Sequence, residues 1–264
     1  MTTESLTIVG GGNMGAALAH GVIGSGTAPS ALTIVETSAP RRSALAEMFP
    51  GTQIVAELEA CTHVVVAVKP QDVAAAVTDA ARKGATTVVS IAAGVSLAAL
   101  SAAAGPRVSV VRAMPNTPSL VGQGAAAYAL GPGCTVETAH FAQQVLGGVG
   151  LAVEVDERQI DAITGLTGSG PAYLFYVAEA LVQAGVGEGL DPEVVDRLVR
   201  QLFLGAGTLL AQSPETPGRL REMVTSPGGT TAAGLAVLGS RDVADAFVAA
   251  VRAATARSVE LGSK

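Results

Sequence analysis

The sequence predicts an α/β protein: an N-terminal, Rossmann-like, doubly wound sheet followed by an all-helical C-terminal domain. Three observations predict it. Up to about residue 154, short β-branched runs alternate with helical patterns. Beyond about residue 158 the strand signals stop and helical spacing takes over. A glycine loop joins the first strand to the first helix, as a mononucleotide-binding unit requires. The expected division is residues 1–156 and residues 157–264.

The strand runs are Leu6 to Val9, Leu32 to Glu36, His63 to Val68, Thr86 to Ile91 and Val108 to Arg112. Continuous apolar stretches such as Val64-Val65-Val66-Ala67-Val68 are expected where helices cover both faces of a parallel sheet. The first helix is read over Ala16 to Ile23.

In the second half, helical spacing begins at Gln159 to Leu166, followed by the joint Thr167-Gly168-Ser169-Gly170-Pro171. Proline is pre-shaped for a first helical position, where its missing amide hydrogen costs nothing, so Pro171 starts a helix running to about Ala184. Asp191-Pro192 repeats the device with Asp191 as cap, and Val194, Val195, Leu198, Val199 and Leu202 supply an amphipathic face. Pro217 to Val224, Thr231 to Leu238 and Arg241 to Leu261 read as further helices. These helices carry more apolar surface than about 100 residues can hide, which predicts homo-oligomerisation through this half.

With 49% hydrophobic, 14% charged and 3% aromatic residues, the core is built from Ala, Val, Leu and Ile. The 32 glycines stand at joints between apolar segments and form no repeat. A net charge of −6 without a Lys/Arg cluster argues against a nucleic-acid partner, and Arg252 and Arg257 read as one polar helix face. Cys61 and Cys134 lack CxxC spacing and are expected as reduced thiols. The apolar run Val145 to Val153 is broken by three glycines and falls far short of the ~20 residues of a membrane span. No targeting segment is evident, and a soluble, cytoplasmic protein is expected.

Gly10-Gly11-Gly12-Asn13-Met14-Gly15 places GxGxxG directly between strand and helix. Gly10 permits the tight turn, Gly12 lets the backbone approach a pyrophosphate, and Gly15 lets helix and strand pack. The helix start at Asn13 and Met14 then offers free amide hydrogens to the phosphates. Glu36, about 20 residues on, is placed to bond the ribose hydroxyls of NADH and to repel a 2′-phosphate. Arg41 and Arg42 stand equally well as NADPH 2′-phosphate ligands or as the solvated start of a helix, so NADPH versus NADH stays open.

Acid-base residues are scarce. His20, His63 and His140 each have a structural reading on a helix, a strand and a helix. There is no HExxH, paired-cysteine set or GxSxG, so no metal site and no serine nucleophile are expected. Glycine-rich joints hold small hydroxyl residues, above all Thr225-Ser226-Pro227-Gly228-Gly229-Thr230-Thr231. With Thr230 as cap, the amides of this turn can converge on an anion such as a substrate carboxylate; an ordinary capped helix start is the competing reading.

The chain resembles the pyrroline-5-carboxylate reductase family over nearly its whole length. The resemblance rests on the glycine loop, Ala67-Val68-Lys69-Pro70, Ile91-Ala92-Ala93-Gly94, Arg112-Ala113-Met114-Pro115-Asn116-Thr117-Pro118, Thr167-Gly168-Ser169-Gly170-Pro171-Ala172-Tyr173, and Val224 to Thr231. It implies reduction of Δ1-pyrroline-5-carboxylate to L-proline with NADPH or NADH. By resemblance, Ala67, Val68, Lys69, Pro70, Ala92 and Ala93 line the nicotinamide half of the cofactor site, with Asn116 near the nicotinamide ribose. Ser226, Gly228, Gly229, Thr230 and Thr231 form the substrate turn, and the Thr231 hydroxyl meets the ring nitrogen. The family is also dimeric through the helical domain, often as rings of dimers, with the substrate pocket completed at the interface. Leu238-Gly239-Ser240-Arg241-Asp242 departs from the family's usual Gly-Gly-Phe stretch.

Three other readings compete. A related cyclic imine is the alternative substrate on the same scaffold. A β-hydroxyacid reductase would carry a lysine on the first long helix of the second domain, and Pro171 to Gly189 has none. A nucleotide sensor without turnover would have lost the Ser-Pro-Gly-Gly-Thr turn, which is intact.

Overall fold

The computed structural model describes residues 5–262; the outermost residues of the two expected domains, 1–4 and 263–264, lie outside the described residues. Strands β1 (Leu6–Val9), β2 (Leu32–Val35), β3 (Gln53–Val55), β4 (His63–Val66), β5 (Thr87–Ser90), β6 (Ser109–Met114), β7 (Gly124–Leu130) and β8 (Gly150–Glu154) form one sheet in the order β3-β2-β1-β4-β5-β6-β7-β8. Every pairing is parallel except β6 with β7. The first six strands have the doubly wound order, with its switch point between β1 and β4.

Helices α1 (Asn13–Gly24), α2 (Ala39–Met48), α3 (Val73–Arg82), α4 (Leu97–Ala104) and α5 (Val136–Gly147) cover the sheet. Successive strand residues point to opposite faces. Ile8, Val65, Val89 and Val111 therefore enter one core with Leu18, Leu45 and Leu146. Val64, Val66, Val88 and Val110 enter the other with Val77, Leu97 and Leu100.

Strands β3, β7 and β8 carry no clear sequence signal. β3 has three residues, and β7 reads Gly-Ala-Ala-Ala-Tyr-Ala-Leu, a composition of low strand propensity that sheet pairing overrides. β8 overlaps the end of the glycine-broken run Val145 to Val153 and extends one residue past it, to Glu154. β2, β4 and β5 also stop short of their expected ends, because Glu36, Ala67 and Ile91 already belong to the loops at the carboxyl edge.

Helix α6 (Glu157–Ile163) continues into a π-helical turn, Thr164–Gly168. It is followed by α7 (Gly170–Gly187), α8 (Pro192–Gln212), α9 (Pro217–Met223), α10 (Thr230–Ser240) and α11 (Val243–Gly262). Asp191 caps α8 as its sequence predicts, its Oδ1 accepting from the Glu193 and Val194 amides at 3.0 and 3.1 Å. Thr216 caps α9 by accepting from the Arg219 amide at 3.2 Å. The Leu238–Asp242 stretch ends α10 and turns at Asp242, whose φ is +51°.

The chain divides into two compact units, one running to Ser169 and rejoined from Val251 onward, the other Gly170–Ala250. The expected boundary at 156/157 falls between β8 and α6, whereas the compact division comes after the π-helical turn. The reason is packing: α6 lies on β6 and β7, with Ile160 in the core, and Gly165 lies against Val251 and Thr255 of α11. Within Gly170–Ala250 only Pro171, Val195 and Val199 are buried. Leu198, Leu202, Leu204 and Leu209 on α8, with Leu174, Phe175 and Tyr176 on α7, are exposed.

Candidate functional site

In the first unit the carboxyl ends of β1, β4 and β5 stand side by side, since Val9 pairs with Val66 and Val66 with Ser90. The loops that follow are Gly10–Gly12, Ala67–Pro70 and Ile91–Gly94. Gly10 has φ +107°, and a Cβ there would lie 2.5 Å from the Ala67 carbonyl oxygen. A Cβ on Gly15 would run into the Gly10 carbonyl. Gly12, by contrast, has nothing within 4 Å of a Cβ position, so its face of the loop is open to an approaching group. Gly12 is the residue before α1, and the Ala16 amide closes the first turn on its carbonyl at 2.9 Å. The Asn13, Met14 and Gly15 amides precede that first bond and face the loop's mouth without helical acceptors. A closed turn, an open glycine face and a helix N-terminus suit a dinucleotide pyrophosphate.

Glu36 follows β2 directly and turns its carboxylate toward the loop. Its Oε2 accepts from the Gly11 amide at 3.1 Å and its Oε1 from the Ser38 amide at 2.8 Å. Arg41 donates its Nε to the Gly11 carbonyl at 2.7 Å. Arg42 donates from one terminal nitrogen to the Glu36 and Thr37 carbonyls at 2.9 and 2.7 Å. All three side chains are half-buried. The sequence places them near the ribose but gives no sign of Gly11, through which Glu36 and Arg41 are both anchored.

Ala67 and Val68 are half-buried beside Gly10, while Lys69 and Pro70 are exposed and open a short 3-10 turn. Ala92 is buried and Ala93 half-buried. The carboxyl end of α11 approaches this row, with Leu261 packed on Gly94. Asn116 is buried and brackets two segments: its Nδ2 donates to the Thr167 carbonyl at 3.0 Å, and its Oδ1 accepts from the Ala125 amide at 2.8 Å.

The second unit carries the Ser226–Thr231 turn. The Thr225 hydroxyl closes α9 on the Arg221 carbonyl at 2.6 Å, and the Gly229 amide bonds the Ser226 carbonyl at 3.0 Å. Gly228 takes φ +71°, a conformation that favours glycine. The expected cap is corrected: Gly229 precedes α10 and Thr230 is its first helical residue, with no side-chain cap bond at this helix start. The extended Gly229 backbone (φ −80°, ψ 173°) does what an N-cap residue does, and the Ala233 amide bonds its carbonyl at 3.2 Å. The Thr230, Thr231 and Ala232 amides of the first turn thus have no helical acceptor. Ser226, Gly228, Thr230 and Thr231 are exposed, and Gly229 is half-buried.

Titratable groups with displaced values lie outside both groups. Burial pushes the Cys61 and Cys134 thiols up, and burial followed by the Glu154 carboxylate pushes the Tyr128 phenol up. Both cysteines are free. His20 and His63 make ring contacts with Phe49 and Phe141. Among the described residues, no three His, Cys, Asp or Glu side chains gather as a metal site, and no helix is long and apolar enough to cross a membrane.

Residues 157–261 match the family model for pyrroline-5-carboxylate reductase dimerisation, and residues 5–94 match that of NADP oxidoreductase, coenzyme F420-dependent. The chain is 39% identical to a pyrroline-5-carboxylate reductase of Arabidopsis thaliana, over 96% of this chain and 94% of the relative. It is 35% identical to that of Corynebacterium melassecola, over 99% of each. Among solved structures, a pyrroline-5-carboxylate reductase from Coxiella burnetii superposes with a TM-score of 0.91 at 32% identity, covering 98% of this chain and 99% of the other. The Plasmodium falciparum enzyme with NADP bound gives 0.85 at 27% identity, over 99% of each.

Proposed function

The chain belongs to the pyrroline-5-carboxylate reductase family, and from that premise we propose how its residues divide the work. The reaction is reduction of Δ1-pyrroline-5-carboxylate to L-proline with a nicotinamide dinucleotide, and the chain is a homo-oligomer.

The observation that carries the proposal is the first turn of α10, where three amides without helical acceptors stand beside a glycine cap and two threonine hydroxyls not used for capping. We assign the substrate carboxylate to the Thr230 and Thr231 amides, with Ser226, Gly228 and Gly229 shaping the turn; the Gly229 amide, which the family resemblance adds to this set, is already taken by the Ser226 carbonyl. The partial positive charge of the helix start favours that anion. The Thr231 hydroxyl orients the ring nitrogen of the substrate. For the dinucleotide, Gly10, Gly12, Asn13, Met14 and Gly15 hold the pyrophosphate, Glu36 and Arg41 border the adenosine ribose, and Ala67–Pro70 with Ala92 and Ala93 line the nicotinamide. Asn116, whose amide is engaged at both ends, serves that site by fixing the loop after β6.

A reduced dinucleotide held by those residues would supply the hydride for the C=N carbon. A protonated cyclic imine is already an electrophile, so the residues chiefly need to orient it, which accords with the absence of histidine from both groups. The division into residues 1–156 for the dinucleotide and 157–264 for substrate and dimerisation is the functional one we propose. The exposed apolar faces of α7 and α8 support a dimer through the helical domain, and a ring of such dimers is what the family resemblance adds. Two unbridged cysteines accord with the reducing cytoplasm.

The test is to incubate the purified protein with pyrroline-5-carboxylate and reduced dinucleotide and to identify the product by mass. Proline formed in step with dinucleotide oxidation is the expected result. A folded protein that binds dinucleotide yet makes no proline, and reduces a different cyclic imine, would overturn the substrate assignment.

A further inference from the structure

The ribose corner of the nucleotide loop carries one more step. We infer that Glu36 makes this reductase selective for NADH over NADPH; the inference rests on the dinucleotide reading above and names the cofactor that site prefers.

The carboxylate is not a loose surface group. Two backbone amides, Gly11 on Oε2 and Ser38 on Oε1, clamp it at 3.1 and 2.8 Å against the glycine loop. Each oxygen keeps a second lone pair, so the pair of them can accept the 2′- and 3′-hydroxyls of an adenosine ribose. A 2′-phosphate brought to the same place meets a fixed negative charge and offers no proton for those lone pairs. Moving the carboxylate aside would strip acceptors from two amides of the loop that holds the pyrophosphate.

The two nearby cations do not reverse this. A phosphate reader needs guanidinium donors aimed outward in a fork. Arg41 directs its Nε inward to the Gly11 carbonyl, and Arg42 is tied to the Glu36 and Thr37 carbonyls. Each arginine is thereby oriented by the backbone it braces.

Dissociation constants of NADH and NADPH, read by nicotinamide fluorescence without substrate, test the inference apart from turnover. The wild-type protein is expected to bind NADH about tenfold or more tightly than NADPH, since a like charge held at contact distance costs at least one such factor. Glu36→Gln keeps the size and one acceptor oxygen, and it is expected to narrow the gap by weakening NADH and strengthening NADPH. Equal binding of the two cofactors by the wild type, or tighter NADPH, overturns the inference even where the variant fails to fold. Normal NADH selectivity with no proline formed would instead count against the reaction and leave the cofactor assignment standing.

Discussion

Arg112 on β6 places its Nη2 2.7 Å from Asp161 Oδ1 on α6, and the same carboxylate oxygen accepts from the Ser258 hydroxyl of α11 at 2.8 Å. The other terminal nitrogen of Arg112 lies 3.3 Å from Glu157, whose Oε1 also accepts from the Leu97 amide at 2.6 Å. One buried guanidinium thus ties together a central strand, the start of α4, the connecting helix and the last helix. The strand it anchors leads directly into Met114 and Asn116, and the last helix ends on Gly94. The network therefore holds the nicotinamide side of the first unit in place without touching it.

Removing Arg112 leaves two carboxylates that are only partly open to water, 23% and 35% exposed at the side chain. Arg112→Met is expected to cost about 2–3 kcal/mol, below the figure for a fully buried pair because water reaches both acids. Asp161→Asn keeps acceptors for Arg112 and Ser258 and should cost about 1 kcal/mol. Denaturant unfolding of the three proteins checks the order; an Arg112→Met protein as stable as wild type would show that the network contributes nothing net.

The glycines of the loop separate into a folding residue and a binding residue. Gly15→Ala drives a methyl into the Gly10 carbonyl and is expected to lower the melting temperature strongly. Gly12→Ala meets nothing within 4 Å, so it should melt with the wild type while dinucleotide affinity falls tenfold or more, roughly, because the methyl occupies the pyrophosphate's approach. Thermal unfolding read together with dinucleotide binding makes the comparison. A Gly12→Ala protein with wild-type affinity would place the pyrophosphate elsewhere.

Both thiols have values raised by burial, so both stay protonated at neutral pH and should react slowly with a thiol reagent until the protein unfolds. The linkage has a definite sign. A folded-state value above the unfolded one adds stability that is fully present below the unfolded thiol value and is lost as pH rises through the folded one. Stability is therefore expected to decline on the alkaline side, with burst labelling of both cysteines appearing together with unfolding. Fast stoichiometric labelling of the native protein at neutral pH would contradict this.

Leu198 and Leu202 on α8 are 60% and 56% exposed in the single chain. If they are covered in the homo-oligomer, Leu198→Glu with Leu202→Glu should shift the scattering mass in solution toward the monomer while dinucleotide binding persists. An unchanged mass would move the interface to another face.

How much of this was legible in the sequence follows from which forces decide each feature. The glycine loop could be read residue by residue because backbone geometry alone dictates it: Gly10 needs positive φ, and Gly15 can carry no Cβ. The Asp191-Pro192 helix start could be read for the same reason. Strand β7 could not, because alanines pair there only by virtue of the sheet on either side. Sequence alone puts the cap of α10 one residue late, since Thr230 is the better capping residue but the turn through Gly228 puts Gly229 in the extended position. The orientations of Glu36, Arg41 and Arg42 do not follow from the sequence because their partners, Gly11 and the Glu36 and Thr37 carbonyls, are set by the tertiary fold. The return of α11 to the first unit rests on Gly165, Ser258 and Leu261, none of which shows a pattern in the sequence.

The central claim, that the α10 turn is the substrate site, is tested most directly by the turnover of Thr231→Ala with pyrroline-5-carboxylate at saturating dinucleotide. Loss of an orienting hydroxyl predicts a kcat lower by about tenfold to a hundredfold, with measurable residual turnover and dinucleotide affinity unchanged. Wild-type kcat and KM in the variant would contradict the assignment of the site, and complete inactivity in a folded, dinucleotide-binding variant would make Thr231 a true general acid and contradict its orienting role.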